Sequence, residues 1–246
     1  MQLNDVHSAL NSTTVWRVEV PTTLAELCAT VRQAEAANQK ISVAGGKHAM
    51  GGQQFLSASL HIDCTALQRV LSKDCAHGII EVEAGIMWPA LIEATQTMAH
   101  PTRTRWAIRQ KQTCVDEVTL AGSVSVAAHG RGLLMQPIGD DVESLVLVDA
   151  TGTPRHCSRS ENAELFSLVI GGYGLFGVIY SVKLRLAERI KLVRVVDVIE
   201  LDDASAAIYR RVKEGCVYGD FQYAIDHTRG RFYAQRCIRL LSTGTR

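Results

Sequence analysis

The chain has 246 residues, of which 47% are hydrophobic and 21% charged, and its formal net charge is +1. This composition is typical of a globular protein with a sizeable core, in one large or two modest domains. The small net charge argues against a nucleic-acid or acidic-membrane partner, and no apolar run approaches the roughly 20 residues of a membrane-spanning helix.

The seven cysteines are scattered along the chain and include no C-x-x-C pair. An odd, unpatterned set predicts reduced thiols in the cytoplasm rather than a disulfide framework or a zinc site. The first 16 residues lack the basic and apolar regions of a secretory signal, which also favours a cytoplasmic protein.

Alternating helix and strand patterns run through the first 187 residues. Segment 22–40 has apolar residues at helical spacing behind a Thr23–Glu26 capping box, and segment 88–98 carries Pro89 in a first helical turn. Strands are predicted at 41–44, 55–63, 78–85 and 176–187, a strand–turn–strand unit at 144–158, and a short helix at 161–172.

After Ala187 the pattern changes to a long strand at 189–201, a helix at 202–215, and strands at 220–226 and 231–241. We therefore predict an α+β domain over residues 1–187. Residues 188–246 are predicted to begin a second domain that is incomplete.

Three segments far apart in the sequence are rich in glycine and other small residues. They are ISVAGGKHAMGGQQF at 41–55, TLAGSVSVAAHGRG at 119–132 and IGGYGLFGVI at 170–179, named here the first, second and third blocks. Glycine lets a ligand approach the backbone and lets N–H groups turn towards a phosphate. Singly, the first block is also typical of a tight turn and the third of a helix C-cap with a bulge. Together they favour one long ligand laid along their backbones.

Two common phosphate-binding patterns do not describe the first block. A Rossmann loop opens a helix, whereas this block leads towards a predicted strand. A Walker loop ends in G-K-[ST], which is absent from the sequence.

In their order and spacing the three blocks resemble the FAD-binding domain of the vanillyl-alcohol oxidase, or p-cresol methylhydroxylase (PCMH), flavoprotein family, over about residues 15–188. The resemblance implies a PCMH-type FAD-binding domain with two α/β subdomains. The stretch GDFQYAID resembles the first strands of the family's cap domain, so the resemblance also implies a truncated antiparallel-sheet cap after the FAD domain.

By this resemblance the first block wraps the FAD pyrophosphate, the second runs beside the ribityl chain and isoalloxazine, and the third meets the adenine. The matching positions are Ala44, Gly45, Gly46, Lys47, His48, Ala49, Met50, Thr119, Gly122, Ser123, Ala128, His129, Gly130, Gly177, Val178 and Ile179. Ala121 replaces the first glycine of the family's second motif. A side chain at Gly46 or Gly51 is expected to take the space that the phosphates need.

Two histidines and one cysteine in or near these blocks need separate interpretation. His48 is either the covalent attachment point for the flavin 8α-methyl group, as in some relatives, or a hydrogen-bond donor to a phosphate. His129 is predicted to form a hydrogen-bonding wall of the flavin site rather than a catalytic base. Cys114 lies too far before Gly122 to match the cysteinyl linkage of bicovalent relatives and is predicted to be a buried thiol.

The implied activity is that of an FAD-dependent oxidoreductase. The flavin takes a hydride at N5 from a hydroxyl-bearing small molecule, such as a sugar, polyol or lactone, and passes electrons to oxygen, a quinone or a protein. No catalytic residue is predicted, because the family's base comes largely from the cap. A partial cap predicts weak turnover, with aggregation or dependence on a partner chain.

Two other functions stay open at the level of the sequence. One is an FAD-binding fragment without turnover. The other is an NADPH-dependent reductase like UDP-N-acetylenolpyruvoylglucosamine reductase, which the lack of a recognisable sugar-nucleotide site disfavours.

Overall fold

The structure is a computed structural model, and it describes residues 1–98, 105–112, 115–223 and 233–240. The helices within these ranges are α1 (Leu24–Ala36), α2 (Trp88–Gln96), α3 (Leu120–Ser125), α4 (Ala163–Val169) and α5 (Ala204–Lys213). The strands are β1 (Gln2–Leu3), β2 (Thr13–Thr14), β3 (Arg17–Glu19), β4 (Ile41–Ala44), β5 (Leu60–Asp63), β6 (Val70–Asp74), β7 (Ile79–Glu83), β8 (Trp106–Ala107), β9 (Val142–Val148), β10 (Pro154–Ser158), β11 (Val178–Arg185), β12 (Ala187–Glu188), β13 (Leu192–Ile199), β14 (Cys216–Tyr223) and β15 (Tyr233–Leu240).

Three sheets carry most of these strands. A parallel sheet has the order β3-β5-β4, and an antiparallel sheet has the order β10-β9-β11-β7-β6. A third, antiparallel sheet has the order β13-β15-β14 and follows them in the chain. The mixed α and β architecture is confirmed, whereas the domain boundary at residue 187 and the truncated cap remain predictions.

Helix α1 begins where the sequence predicts it. The Thr23 hydroxyl accepts a hydrogen bond from the Glu26 amide at 3.2 Å. The Glu26 carboxylate reaches back to the amide of Thr22 at 2.7 Å and to its hydroxyl at 2.8 Å. The capping box is therefore present, with its carboxylate bonded one residue before the N-cap.

The buried face of α1 joins the parallel sheet to the large antiparallel sheet. Leu27 and Val31 pack in one cluster with Ile62 of β5 and with Val148 and Val178 of β9 and β11. This shared core fixes the end of β4 close to the segment that leads into β11. A Cβ placed on Gly174 of the third block would lie 3.0 Å from Val43 Cγ1 in the first block.

Several strands differ from the sequence prediction, and β5 and β6 are two examples with a clear physical reason. The strand predicted at 55–63 is shortened to β5, because residues 55–59 form turns in which Ala58 adopts φ +57°. All four residues of β5 are buried, as expected for the central strand of a parallel sheet covered on both faces. Strand β6 was not predicted, because all five of its residues are exposed and only its pairing with β7 defines it.

Five cysteines are free thiols, and all of them except Cys75 are buried. Cys114 lies outside the described residues, and the side chain of Cys237 is not among those described. Within the described ranges, none of the helices combines the length and apolar character needed to cross a bilayer.

Candidate functional site

A cavity of about 520 Å³ lies where the three glycine-bearing blocks meet. Its size falls within the range of cofactor and ligand pockets. The first block contributes Val43, Ala44, Gly45, Gly46, Lys47, His48, Ala49, Met50, Gln53 and Gln54; the second, Thr119, Ala121, Gly122, Ser125 and Val126; and the third, Tyr173, Gly174, Gly177, Val178 and Ile179. The fold thus brings together segments that are more than 100 residues apart.

The first block enters the cavity from the end of β4. Ala44 pairs with Asp63, the last residue of β5, and the chain then turns into a loop in which Lys47 has φ +59°. Lys47 Nζ donates to Asp63 Oδ2 at 2.6 Å. Burial raises the pKa of Asp63, but hydrogen bonds from Lys47 and Thr65 outweigh this effect and lower it overall. The Lys47–Asp63 ion pair holds the loop at the C-terminal end of β5.

Gly45 and Gly46 allow the first block to approach the second very closely. A Cβ on Gly45 would lie 2.1 Å from Thr119 Oγ1, and one on Gly46 would lie 2.3 Å from the backbone oxygen of Glu117. Thr119 is itself constrained, because its hydroxyl accepts a hydrogen bond from the Gly122 amide and caps α3. Gly51 differs: its Cβ would meet only the mobile end of Gln53, 2.6 Å away, and it does not line the cavity.

The third block passes between α3 and β9. Its backbone donates from Gly171 to the Val124 oxygen and from Tyr173 to the Ser125 oxygen, each at 3.0 Å. Gly177 adopts φ +138°, and a Cβ there would lie 2.6 Å from the Val148 oxygen. This position therefore requires glycine both for its backbone conformation and for the close approach to β9.

The cavity wall is apolar and carries little side-chain charge. Among the described residues that line it, Lys47 is the only one whose side chain is always ionised at neutral pH, and Asp63 neutralises it. In the described part of the chain, the backbone N–H groups of residues 46–49 have no partner of their own, so they remain available to a ligand. An anionic group bound here would be held mainly by backbone donors, as in other glycine-rich phosphate loops.

Twelve of the sixteen residues predicted from the sequence line the cavity. They are Ala44, Gly45, Gly46, Lys47, His48, Ala49, Met50, Thr119, Gly122, Gly177, Val178 and Ile179. The first and third blocks contribute all of their predicted residues. The second block contributes only two of its six predicted residues, Thr119 and Gly122, and the geometry of α3 is part of the reason.

The four remaining predicted residues, all in the second block, do not line the cavity. Thr119, Gly122 and Val126 share one face of the helical segment, whereas Ser123 points into the core and its hydroxyl donates to the Thr119 oxygen at 3.2 Å. Ala128 is buried outside the cavity. His129 is exposed, its Nδ1 lying 2.9 Å from the oxygen of Gly130. Gly130 is half-buried outside the cavity, and its amide donates to Gln110 Oε1 at 3.4 Å.

Polar residues that line the cavity but were not predicted from the sequence include His7, Gln53, Gln54, Gln112 and Ser125. Gln53 and Gln54 lie inside the first block, directly after its glycines, and this position was an available signal. His7 lies 41 residues from His48, its neighbour in space, and no pattern in the sequence indicates the contact.

The fold and the cavity together define a domain that holds an elongated nucleotide cofactor along glycine-rich backbone. Residues 17–158 match the sequence model of a family described as the FAD binding domain. The chain belongs to this family, and its cofactor is FAD. This result confirms the flavoprotein family that the three blocks indicated.

Three of the relatives share between 28% and 31% identity with the chain. An uncharacterized oxidoreductase of the fasciation locus of Rhodococcoides fascians is 31% identical over 179 residues, covering 72% of this chain and 39% of that protein. The mitochondrial L-galactono-1,4-lactone dehydrogenase of Brassica oleracea is 29% identical over 193 residues, covering 76% and 31%. The L-gulonolactone oxidase of Mus musculus is 28% identical over 173 residues, covering 70% and 37%. The chain thus spans about a third of the length of these relatives.

An alkyldihydroxyacetonephosphate synthase has a similar solved structure, with a TM-score of 0.78 at 14% identity. The similarity covers 91% of this chain and 46% of the synthase chain. At this identity it shows a shared fold.

Proposed function

We propose that this chain is the FAD domain of an oxidoreductase that oxidises a hydroxyl-bearing small molecule of the sugar, polyol or lactone type. The observation that carries the proposal is the convergence of the three blocks on one cavity, where the backbone N–H groups of residues 46–49 have no partner among the described residues. The names of the lactone dehydrogenase and the lactone oxidase among the relatives support this substrate class. The electron acceptor would be oxygen, a quinone or a protein.

The residues of the cavity fit the chemistry of FAD. Backbone N–H groups in the first block would hold the pyrophosphate, and the apolar walls would exclude water from the ring system. Bound flavin supplies a site that accepts a hydride equivalent. We propose the sixteen sequence-predicted residues as the FAD site, with the twelve that line the cavity in direct contact. No residue is assigned as the catalytic base.

Lys47 and Asp63 would maintain the shape of the loop rather than carry the chemistry. The ammonium group donates to Asp63, whose other oxygen accepts from the amide of Thr65 at 3.0 Å and from its hydroxyl at 2.5 Å. With the lysine charge neutralised, the loop would bind phosphate through oriented backbone dipoles.

Gln54 gives the most direct test of the cofactor fit. Both amide atoms of its side chain are buried at the cavity wall and have no partner among the described residues. An unsatisfied buried polar group costs about 1–3 kcal/mol, which a ligand that donates and accepts hydrogen bonds would recover. We expect Gln54→Leu to lower FAD affinity about tenfold or more while leaving the stability of the flavin-free protein unchanged or higher.

Titration of flavin-free protein with FAD, with flavin fluorescence read in the reversible binding phase that precedes attachment at His48, measures this change. Gln33→Leu on the exposed face of α1 is the matched control, because it removes the same amide away from the cavity. Wild-type FAD affinity in Gln54→Leu would show that this amide does not contact the cofactor.

His48 is proposed as the covalent attachment point, because its half-buried imidazole lies in the cavity wall within the glycine loop. Acid-precipitated wild-type protein is then expected to stay yellow, with a mass that exceeds the sequence mass by about that of FAD. His48→Ala should bind FAD in solution and release it on precipitation. Release of free flavin from the wild type would favour the hydrogen-bonding interpretation instead.

Anaerobic mixing with aldonolactones, polyols and aldoses tests the proposed activity. The expected result is slow bleaching of the oxidised flavin absorbance by one member of the panel. Persistent colour with every member would favour FAD binding without turnover. Bleaching by NADPH alone would favour a reductase.

A further inference from the structure

The loop between β1 and β2, residues 4–12, is named here the N-terminal strap. Pairing of Gln2 with Thr14 and of Leu3 with Thr13 closes its base. The strap lies before residue 17, where the match to the FAD binding domain begins. Its position over the first block therefore does not follow from that match.

The strap contacts the glycine loop at several points. The Val6 amide donates to the Lys47 oxygen at 3.1 Å, and the Asn11 side chain donates to the Met50 oxygen at 2.8 Å. Asn11 also packs against Gly52: a Cβ placed on Gly52 would lie 2.7 Å from the Cβ of Asn11. These contacts fasten the strap to both ends of the loop that carries His48.

Asp5 gives the strap a defined conformation of its own. Its carboxylate accepts from the Ser8 amide at 2.6 Å, the Ser8 hydroxyl at 2.8 Å and the His7 amide at 2.9 Å. The hydrogen bond from the Ser8 amide is the largest of the effects that lower the pKa of Asp5 to about 2. The charge on Asp5, and with it this turn, therefore persists across the physiological pH range.

The side chain that the turn presents to the cavity is His7. Its Nε2 lies 2.8 Å from Nδ1 of His48, and the two ring centroids are 4.8 Å apart. The opposite edge of the His48 ring lies over Gly46, where a Cβ would be 2.8 Å from Cδ2. The ring of His48 is thus held between the strap and the glycine loop, and a hydrogen bond to one nitrogen sets the protonation of the other.

We propose that His7 is a positioning residue for His48, and that the N-terminal strap is thereby part of the FAD site. This inference rests on the proposed placement of FAD in the cavity. His7 would hold the His48 imidazole in the orientation and tautomer that meet the bound cofactor, so that less ordering of the ring is needed when FAD binds.

The test compares His7→Ala, His7→Gln and Leu10→Ala in the whole chain. Because one neutral hydrogen bond is lost, His7→Ala should need about three- to tenfold more FAD for half saturation of the flavin-free protein in the reversible binding phase, before any attachment at His48. The glutamine amide can bond to either tautomer of His48, so His7→Gln should recover most of the affinity. Leu10 is 83% exposed in the same strap, and its truncation should have no effect.

Imidazole ¹⁵N NMR reports the tautomer of His48, which would not change if His7 only stabilised the fold. We expect one His48 tautomer in the wild type and a mixture in His7→Ala, with equal melting temperatures for the flavin-free proteins. Wild-type FAD affinity in His7→Ala would overturn the inference, as would equal loss in the alanine and glutamine variants. Failure of the wild-type chain to bind FAD would instead overturn the proposed function.

Discussion

The Gly46→Val protein is expected to lose FAD binding and to be destabilised by about 3 kcal/mol. Its Cβ would lie 2.3 Å from the backbone oxygen of Glu117 and 2.8 Å from Cδ2 of His48. Because a backbone atom cannot move aside as a side-chain end can, the first block must shift away from the second. The sequence predicts that a side chain at Gly46 takes the space of the phosphates, and the structure adds a clash within the protein itself.

Gly51→Val is the matched control in the same loop. Its Cβ would meet only the end of the Gln53 side chain, which can rotate away, and Gly51 does not line the cavity. We therefore expect near-wild-type stability and FAD affinity, contrary to the expectation drawn from the sequence. Urea unfolding and FAD titration of both variants measure the difference. Equal behaviour of the two would show that close packing of the blocks does not explain the requirement for glycine.

The second large predicted effect is a loss of protein stability in acid, and its cause is His61. This residue of β5 is fully buried beneath the glycine loop, and its Nδ1 lies 2.9 Å from Ser42 Oγ. Its Nε2 is buried with no partner among the described residues. Burial is the main cause that lowers the pKa of His61 from 6.5 to about 4, and nearby Lys47 lowers it further while Asp63 opposes the change.

The sign of the pH dependence follows from this lowered pKa. Between pH 6.5 and 4 the unfolded chain binds a proton at His61 that the folded chain does not, so stability falls as the pH falls through this interval. This acid destabilisation is absent above pH 6.5 and complete by about pH 4, with a magnitude of roughly 3 kcal/mol.

Urea unfolding of the flavin-free protein at several pH values between 6.5 and 4.5 would measure this loss. In His61→Asn the slope should be much reduced, because asparagine does not titrate and its amide can still bond to Ser42. His77→Asn removes a histidine from an exposed turn beside Asp74 and should keep the wild-type slope. An unchanged slope in His61→Asn would assign the acid sensitivity to other groups.

Much of the fold was predictable because the responsible signals are local. The capping residues of α1, the proline at the start of α2 and the turn between β9 and β10 act on neighbouring residues, and each prediction was confirmed. Strand β6 was not predictable in this way, since its exposed residues show no alternation. Hydrogen bonding to β7, which depends on the tertiary fold, defines it.

The candidate site shows the same difference between signals in the local sequence and features that the tertiary fold sets. The three glycine-bearing blocks are visible in residue order alone, so they indicate the flavoprotein family and twelve of the residues that line the cavity without knowledge of the fold. Three features of the site follow from packing instead: α3 turns Ser123 into the core, Gln54 lies at the cavity wall, and His7 meets His48. Helical phase, burial and contacts across 41 residues are properties of the packed chain, so residue order alone does not specify them.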